Sequence, residues 1–204
     1  FAAHQAVIVC VGEDANTKIE SAKVYNNTFV NNNVVHPVYQ GDEILFENNI
    51  FYFPNEGMAS RDDAYVTGAN TSFVNNVFAG AHSSGEPKNT GENRGNIYVD
   101  ESPLAGTFYG TETLEDAMEM AKLVHGSAAL EAGDPAVVED ADVDMDFYGN
   151  ASVNNGKINA GIYNGGSVDL IPDKGDPGLE PGPGSDDEPA EEDYDVEYVE
   201  AEDE

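Results

Sequence analysis

Apolar residues in this chain come in short runs, and polar pairs interrupt them at a recurring place. In 23-KVYNNTF-29, Val24 and Phe29 flank the pair Asn26-Asn27. The pattern returns in 45-LFENNIF-51 and 73-FVNNVF-78, so that Asn27, Asn49 and Asn76 lie 22 and 27 residues apart. Self-similarity at this period marks a repeat architecture, in which each unit is too short to bury its apolar face and neighbours must stack. Val24, Phe29, Ile44, Phe46, Ile50, Phe73, Val77 and Phe78 are strand formers broken by Asn, Gly, Asp and Pro. Their spacing suits short strands and turns, not a helical stripe. Strands that turn every twenty-odd residues and stack directly describe a parallel β-helix.

Asn is depleted in strands, so the pairs need a turn. Asn tolerates the left-handed backbone that a tight turn requires, and stacked Asn side chains can hydrogen-bond along the stack as a ladder. One Asn of each pair is expected inside the turn and the other outside, with Asn27, Asn49 and Asn76 as equivalent rungs.

Other stretches add elements. The run 6-AVIVCVG-12 reads as a buried strand carrying the single cysteine, Cys10, as a packing thiol. The polar, glycine-rich 82-HSSGEPKNTGENRGN-96 reads as a long loop. Residues 113-TLEDAMEMAKLVHG-126 read as a short helix, with Thr113 as N-cap, Asp116 three residues on, and Gly126 closing it. Its apolar face (Leu114, Ala117, Met118, Ala121, Leu123, Val124) is expected to lie over the last coil and cover open strand edges.

The repeats VYNNTF, LFENNIF and FVNNVF resemble the loose coil motif of right-handed parallel β-helix proteins of the pectate-lyase-like superfamily. Downstream, 127-SAALEAGDPA-136, 144-DMDFYGNAS-152 and 160-AGIYNGG-166 resemble the closing segment of secreted bacterial members. The chain departs from that segment at Ala151-Ser152, where Pro-Arg is usual, and at Asn164, where Glu is usual. The resemblance spans roughly residues 20 to 166. It implies an all-β, right-handed parallel β-helix (solenoid) with a short helix and an irregular C-terminal closing segment. It also implies the C-terminal part of an extracellular or cell-surface protein, with a polysaccharide or cell-surface glycan as partner. That superfamily holds lyases, hydrolases, epimerases and adhesins, so a polysaccharide lyase, a glycoside hydrolase and a non-catalytic adhesin or structural protein all stay open.

Charge refines this picture. Forty acids face eight bases among 204 residues, for a net charge of −32. Residues 185–204 hold twelve of the acids and no base. Such a like-charge block reads as disordered, and it follows a Pro/Gly-rich linker, 172-PDKGDPGLEPGPG-184. The expected plan is coils and closing segment over 1–170, linker over 171–184, and acidic tail over 185–204. The excess acidity of the remainder argues against nucleic acid and anionic membrane as partners. No apolar run approaches the ~20 residues of a membrane span, and a monomer is expected. The start at Phe1, with no basic leader region, reads as a processed or truncated product of a longer chain.

Candidate chemistry is sparse. In 139-EDADVDMDF-147, Asp140, Asp142, Asp144 and Asp146 alternate. An extended backbone would put them on one face, and oxygen ligands suit calcium. The EF-hand pattern fails, since Met145 and Ala151 stand where Gly and Glu are needed, and a surface acidic turn is the other reading. Lyase chemistry needs a base to take a proton alpha to a carboxylate that a cation neutralises. Lys23, Arg61, Lys88 and Arg94 are the basic candidates, and Asp42, Glu43, Asp62 and Asp63 the acidic ones. Arg61-Asp62-Asp63, between two repeats, is the candidate catalytic cluster, with a local ion pair as the alternative. Glycoside hydrolysis needs two carboxylates ~5–9.5 Å apart, which an acidic chain offers by chance. His4, His36, His82 and His125 form no ligand spacing, and the glycosylation sequons at Asn26, Asn70 and Asn150 carry little weight in an Asn-rich chain.

Residues 172–204 lack a periodic apolar face and carry like charge, so their deletion is expected to leave the thermal unfolding midpoint unchanged. A fall of several degrees on calorimetry would mean that the tail packs.

Overall fold

The computed structural model describes residues 19–30, 41–53, 71–80, 91–108 and 113–173, all within the first of the chain's two units, Phe1–Asp173. Cys10, the Arg61-Asp62-Asp63 cluster, Lys88, His4, His36, His82, Asn70, the linker beyond Asp173 and the acidic tail lie outside the described residues.

The chain is mostly β. Its strands are β1 (Ile19–Tyr25), β2 (Thr28–Val30), β3 (Gly41–Glu47), β4 (Ile50–Phe53), β5 (Thr71–Val74), β6 (Val77–Gly80), β7 (Asn93–Arg94) and β8 (Ile97–Val99). They form two four-stranded parallel sheets, ordered β1-β3-β5-β7 and β2-β4-β6-β8. Each repeat thus gives one strand to each sheet, with two residues between. The third and fourth pairs show that the stretch expected as a long loop is only partly one. Residues 92-ENRGNIY-98 are a fourth repeat, with Gly95-Asn96 where the others have Asn-Asn. The glycine and the charged flanks hide it from the apolar pattern.

The two residues between the sheets explain the Asn pairs. Asn26, Asn48 and Asn75 have φ of 52°, 56° and 52°, and Gly95 has 67°. The chain there enters the left-handed region, which Asn tolerates and Gly enters freely. The second residue of each pair builds a ladder. Asn49 Oδ1 accepts from the backbone N–H of Asn27 at 3.0 Å, Asn76 Oδ1 from that of Asn49 at 3.0 Å, and Asn96 Oδ1 from that of Asn76 at 3.0 Å. Each amide nitrogen also reaches back to a carbonyl. Asn49 donates to Val24 O at 2.8 Å, Asn76 to Phe46 O at 3.0 Å and Asn96 to Phe73 O at 2.9 Å. Asn49 and Asn76 are fully buried. An unpaired backbone group there would be costly, and the ladder satisfies it.

Aromatic side chains follow the same register. Phe29, Phe51, Phe78 and Tyr98 stack along one sheet, with ring centroids 5.1, 5.1 and 5.3 Å apart. Phe46 and Phe73 stack along the other at 4.9 Å. Edge contacts across the sheets, such as Phe46 to Phe51 at 6.1 Å, join the columns into one core. Full burial of Phe46, Phe51, Phe73 and Phe78 stabilises the fold by about 1.5–3 kcal/mol each.

Residues 104–108 and 121–171 include those that lie against the other face of the second sheet. Ile50 and Val77 pack there with Leu104, Leu123, Ala129, Ala160 and Tyr163. Gly161 makes the approach possible. A Cβ at this residue would lie 2.6 Å from Ile50 Cδ1 and 2.7 Å from Thr28 Oγ1. Residues 113–173 hold two short helices, α1 (Leu114–Met120) and α2 (Ala136–Asp140), and isolated bridges such as Gly133 with Ile158. Thr113 caps α1 by accepting from the Asp116 N–H at 3.2 Å. The helix ends at Ala121, well before Gly126, and buries none of its residues. It is therefore not the cover for the last strands that its apolar spacing suggested. Leu123, counted with its apolar face, leaves the helix to join the core through a bridge with Leu104.

Asn49→Ala strips the Asn27 N–H and the Val24 carbonyl of a buried partner. At about 1–3 kcal/mol for each orphaned group, it is expected to cost about 3 kcal/mol or more in denaturant unfolding. Asn155 is exposed with a φ of 52°, so Asn155→Gly should stay within about 0.5 kcal/mol of the parent. Equal midpoints for the two variants would count against the ladder.

Candidate functional site

Alternation along the first sheet puts Ile44 and Phe46 in the core and turns Glu43, Leu45 and Glu47 the other way. Pairing extends this into two columns across the strands. One runs Tyr25, Glu47, Val74, Arg94; the other runs Lys23, Leu45, Ser72 and then Glu92, whose N–H donates to Ser72 Oγ at 2.9 Å. Of these, Leu45, Glu47, Ser72, Val74, Glu92 and Arg94 line an open groove of about 370 Å³ together with Glu43.

The groove mixes charges. Arg94 Nε donates to Glu92 Oε1 at 2.9 Å, with both side chains more than half exposed. Glu47 is half-buried, and burial pushes its carboxyl above the ordinary value of 4.5. The nearby charge of Asp134 pushes the same way, as does Glu92 more weakly, while Arg94 and Lys23 oppose. Desolvation disfavours the ionised form and like charges add to that. Glu47 is absent from the candidates drawn from the sequence, which include Lys23, Glu43 and Arg94. The signal is present, since Glu47 lies two residues beyond Leu45 on the strand that carries Glu43.

Asp134 reaches this neighbourhood through the turn asparagines. Asn48 Nδ2 donates to Asp134 O at 2.9 Å, and the Asp134 N–H donates to Asn48 Oδ1 at 2.9 Å. Asp134 Oδ1 accepts from Ala136 N at 3.0 Å, at the start of α2. Gly133 packs against the Asn48 amide, where a Cβ would lie 3.0 Å from Asn48 Cγ. The stretch Gly133-Asp134-Pro135 therefore fastens the closing segment to the second repeat.

A second cavity of about 250 Å³ lies at the turn between β1 and β2, lined by Tyr25, Asn26, Asn27, Asp146, Phe147 and Asn164 among others. Its acid is taken up by structure. Asp146 accepts from the N–H groups of Tyr148 at 2.9 Å, Asn150 at 2.8 Å and Asn164 at 2.6 Å, and from Asn150 Nδ2 at 2.9 Å. The other aspartates of the stretch do not share an extended face. Asp140 closes α2, and Asp142 adopts a φ of 55°. Among the described residues, no group of three or more His, Cys, Asp or Glu is placed to hold a metal ion. Asn26 and Asn150, two of the sequon asparagines, have their amide nitrogens hydrogen-bonded, to Asn159 O at 3.2 Å and to Asp146 Oδ2 at 2.9 Å. His125 is exposed, its Nδ1 2.6 Å from Ser167 Oγ.

No family model matches the chain, and no curated protein matches it. Among the described residues, no helix is long and apolar enough to cross a membrane.

The raised Glu47 carboxyl has a signed consequence for stability. Between 4.5 and its folded-state value, the folded chain holds a proton that the unfolded chain has lost, so stability falls as pH climbs through that window. Glu47→Gln is therefore expected to raise the melting temperature at pH 7, with the gain shrinking as pH drops to 4.5 and below. Melts across the acidic to neutral range showing no gain at neutral pH would contradict this account of Glu47.

Proposed function

We propose that the chain is the C-terminal part of an extracellular, right-handed parallel β-helix protein of the pectate-lyase-like kind, and that it binds or acts on polysaccharide along the face of its first sheet that the described residues leave open. The observation that carries the reading is the contrast between the two sheets. The second sheet is covered by the closing segment through Ile50 and Val77, while the first turns Glu43, Glu47, Ser72, Glu92 and Arg94 into an open groove. The columns step by ~4.8 Å from strand to strand, close to the rise of one sugar unit in an extended glycan. A linear glycan laid across the strands would meet a polar side chain at nearly every step, and Tyr25 supplies a ring at one end of a column. A half-buried carboxyl that holds its proton above the usual range is also suited to general-acid work on a glycosidic oxygen.

The resemblance of 127–166 to a bacterial closing segment supports the same reading, since Gly133, Asp134 and Gly161 of those stretches make close contacts to Asn48, Ile50 and Thr28. A non-catalytic adhesin or structural protein would use the same face without turnover. Isothermal titration with soluble oligosaccharides tests binding, and assay of new reducing ends and of unsaturated-product absorbance, with and without calcium, tests turnover. Binding that Glu47→Ala weakens at least several-fold is the expected result. Turnover above a blank decides for an enzyme. Failure of neutral, acidic and amino-sugar oligomers alike to bind overturns the proposal.

A further inference from the structure

Granting that the free face of the first sheet is a glycan site, its charges bear on which glycan it takes. Glu43, Glu47 and Glu92 line the groove, and the Asp134 backbone exchanges two hydrogen bonds with Asn48, the residue after Glu47, which brings its carboxylate into the same neighbourhood. Among the described residues, the cations that act on Glu47 against these carboxylates are Lys23 and Arg94. Arg94 is already engaged by Glu92 at 2.9 Å. A polyuronate laid along the Tyr25–Glu47–Val74–Arg94 column would bring a carboxylate to Glu47, beside Asp134. Like charges brought together in this way penalise the wrong partner more than they help the right one.

We infer that this face selects a glycan bearing protonated amines over one bearing carboxylates. The amine would sit beside Glu47, between the positions of Lys23 and Arg94, and compensate the Glu47–Asp134 pair. Cation binding would also favour the ionised form of Glu47, so affinity rises with pH until the amines themselves lose their protons.

The chain's net charge of −32 would attract any polycation, so the experiment must separate the groove from the bulk. Short β-linked glucosamine, galacturonate and neutral glucose oligomers of equal length are titrated into the full chain, into Glu47→Gln and into Glu139→Gln. Glu139 is an exposed acid of α2 outside the groove. The expected result is about tenfold tighter binding of the glucosamine oligomer than of the galacturonate oligomer, the difference shrinking with added salt. Glu47→Gln should lose most of that preference and flatten its pH dependence, while Glu139→Gln keeps both. Equal losses in the two variants mean bulk attraction and overturn the inference. Galacturonate binding as tightly, with or without calcium, or a neutral oligomer matching the amine, overturns it too and leaves the glycan reading standing. Binding of none of the three overturns both.

Discussion

Everything in this fold hangs on a backbone problem at the turn between the two sheets. Parallel strands must pass from one sheet to the other within two residues, and no backbone group buried there can go unpaired. The first residue of each pair takes left-handed φ, and the second turns its amide inward to receive the N–H from the neighbouring repeat. The backbone ladder continues beyond the turn, with Ile50 N–H to Asn27 O at 2.9 Å and Val77 N–H to Asn49 O at 2.8 Å. Because the turn fixes the register on both sides, the phenylalanines of successive repeats must fall over one another. The aromatic stacks are a consequence of the asparagines as much as of their own attraction, which is worth about 0.5–1.5 kcal/mol for each pair beyond burial.

In the first two repeats the first residue of the pair has a second use. Its side chain meets the closing segment. Asn26 Nδ2 donates to Asn159 O, and Asn48 exchanges two hydrogen bonds with the backbone of Asp134. Gly161 N–H adds a 2.7 Å bond to Asn48 O. A segment with little regular structure of its own is thus held by amides that the repeat had to provide anyway. This is how residues 127–166 can be irregular and still bury Ala129, Ile158 and Ala160.

Much of this is legible in the sequence, for physical reasons that also set the limits. The repeat shows because Asn is out of place in a strand, so its return with matched aromatics points to a turn that recurs. The fourth repeat is hidden because Gly95 does the work of the turn Asn and Asn93 replaces the core phenylalanine at the end of the stack. The helix over 114–120 is visible from Thr113, but it is shorter than its apolar spacing suggests. Leu123 and Val124 are apolar for contacts with the core and Val168 and not for a helical face. The alternating aspartates fail as a strand because period-2 spacing also fits a helix end followed by a left-handed turn. The groove is the least legible. Its lining comes from β3, β5 and the β7 region, and only cross-strand register, which no local pattern encodes, puts Glu47 in line with Arg94 and near Asp134.

That groove raises the question of why the face is built as it is. Parallel sheets are usually covered on both sides, and among the described residues the second sheet conforms while the first does not. Its columns mix Glu47, Glu92, Lys23 and Arg94 with Leu45, Ser72 and Val74, where stability alone would favour neutral side chains that bury no carboxyl. Glu47 opposes folding at neutral pH in proportion to how far burial and Asp134 disfavour its charge. Asp134 cannot easily be moved, because its backbone holds the closing segment and its side chain starts α2. A neutral residue at 47 would relieve the strain with no loss to the ladder, since the Asn49 and Asn76 bonds do not use this side chain. Charged groups held at such a disadvantage gather at functional sites. Such a group, on the sheet face that the closing segment leaves open, is the one the proposed glycan site would use.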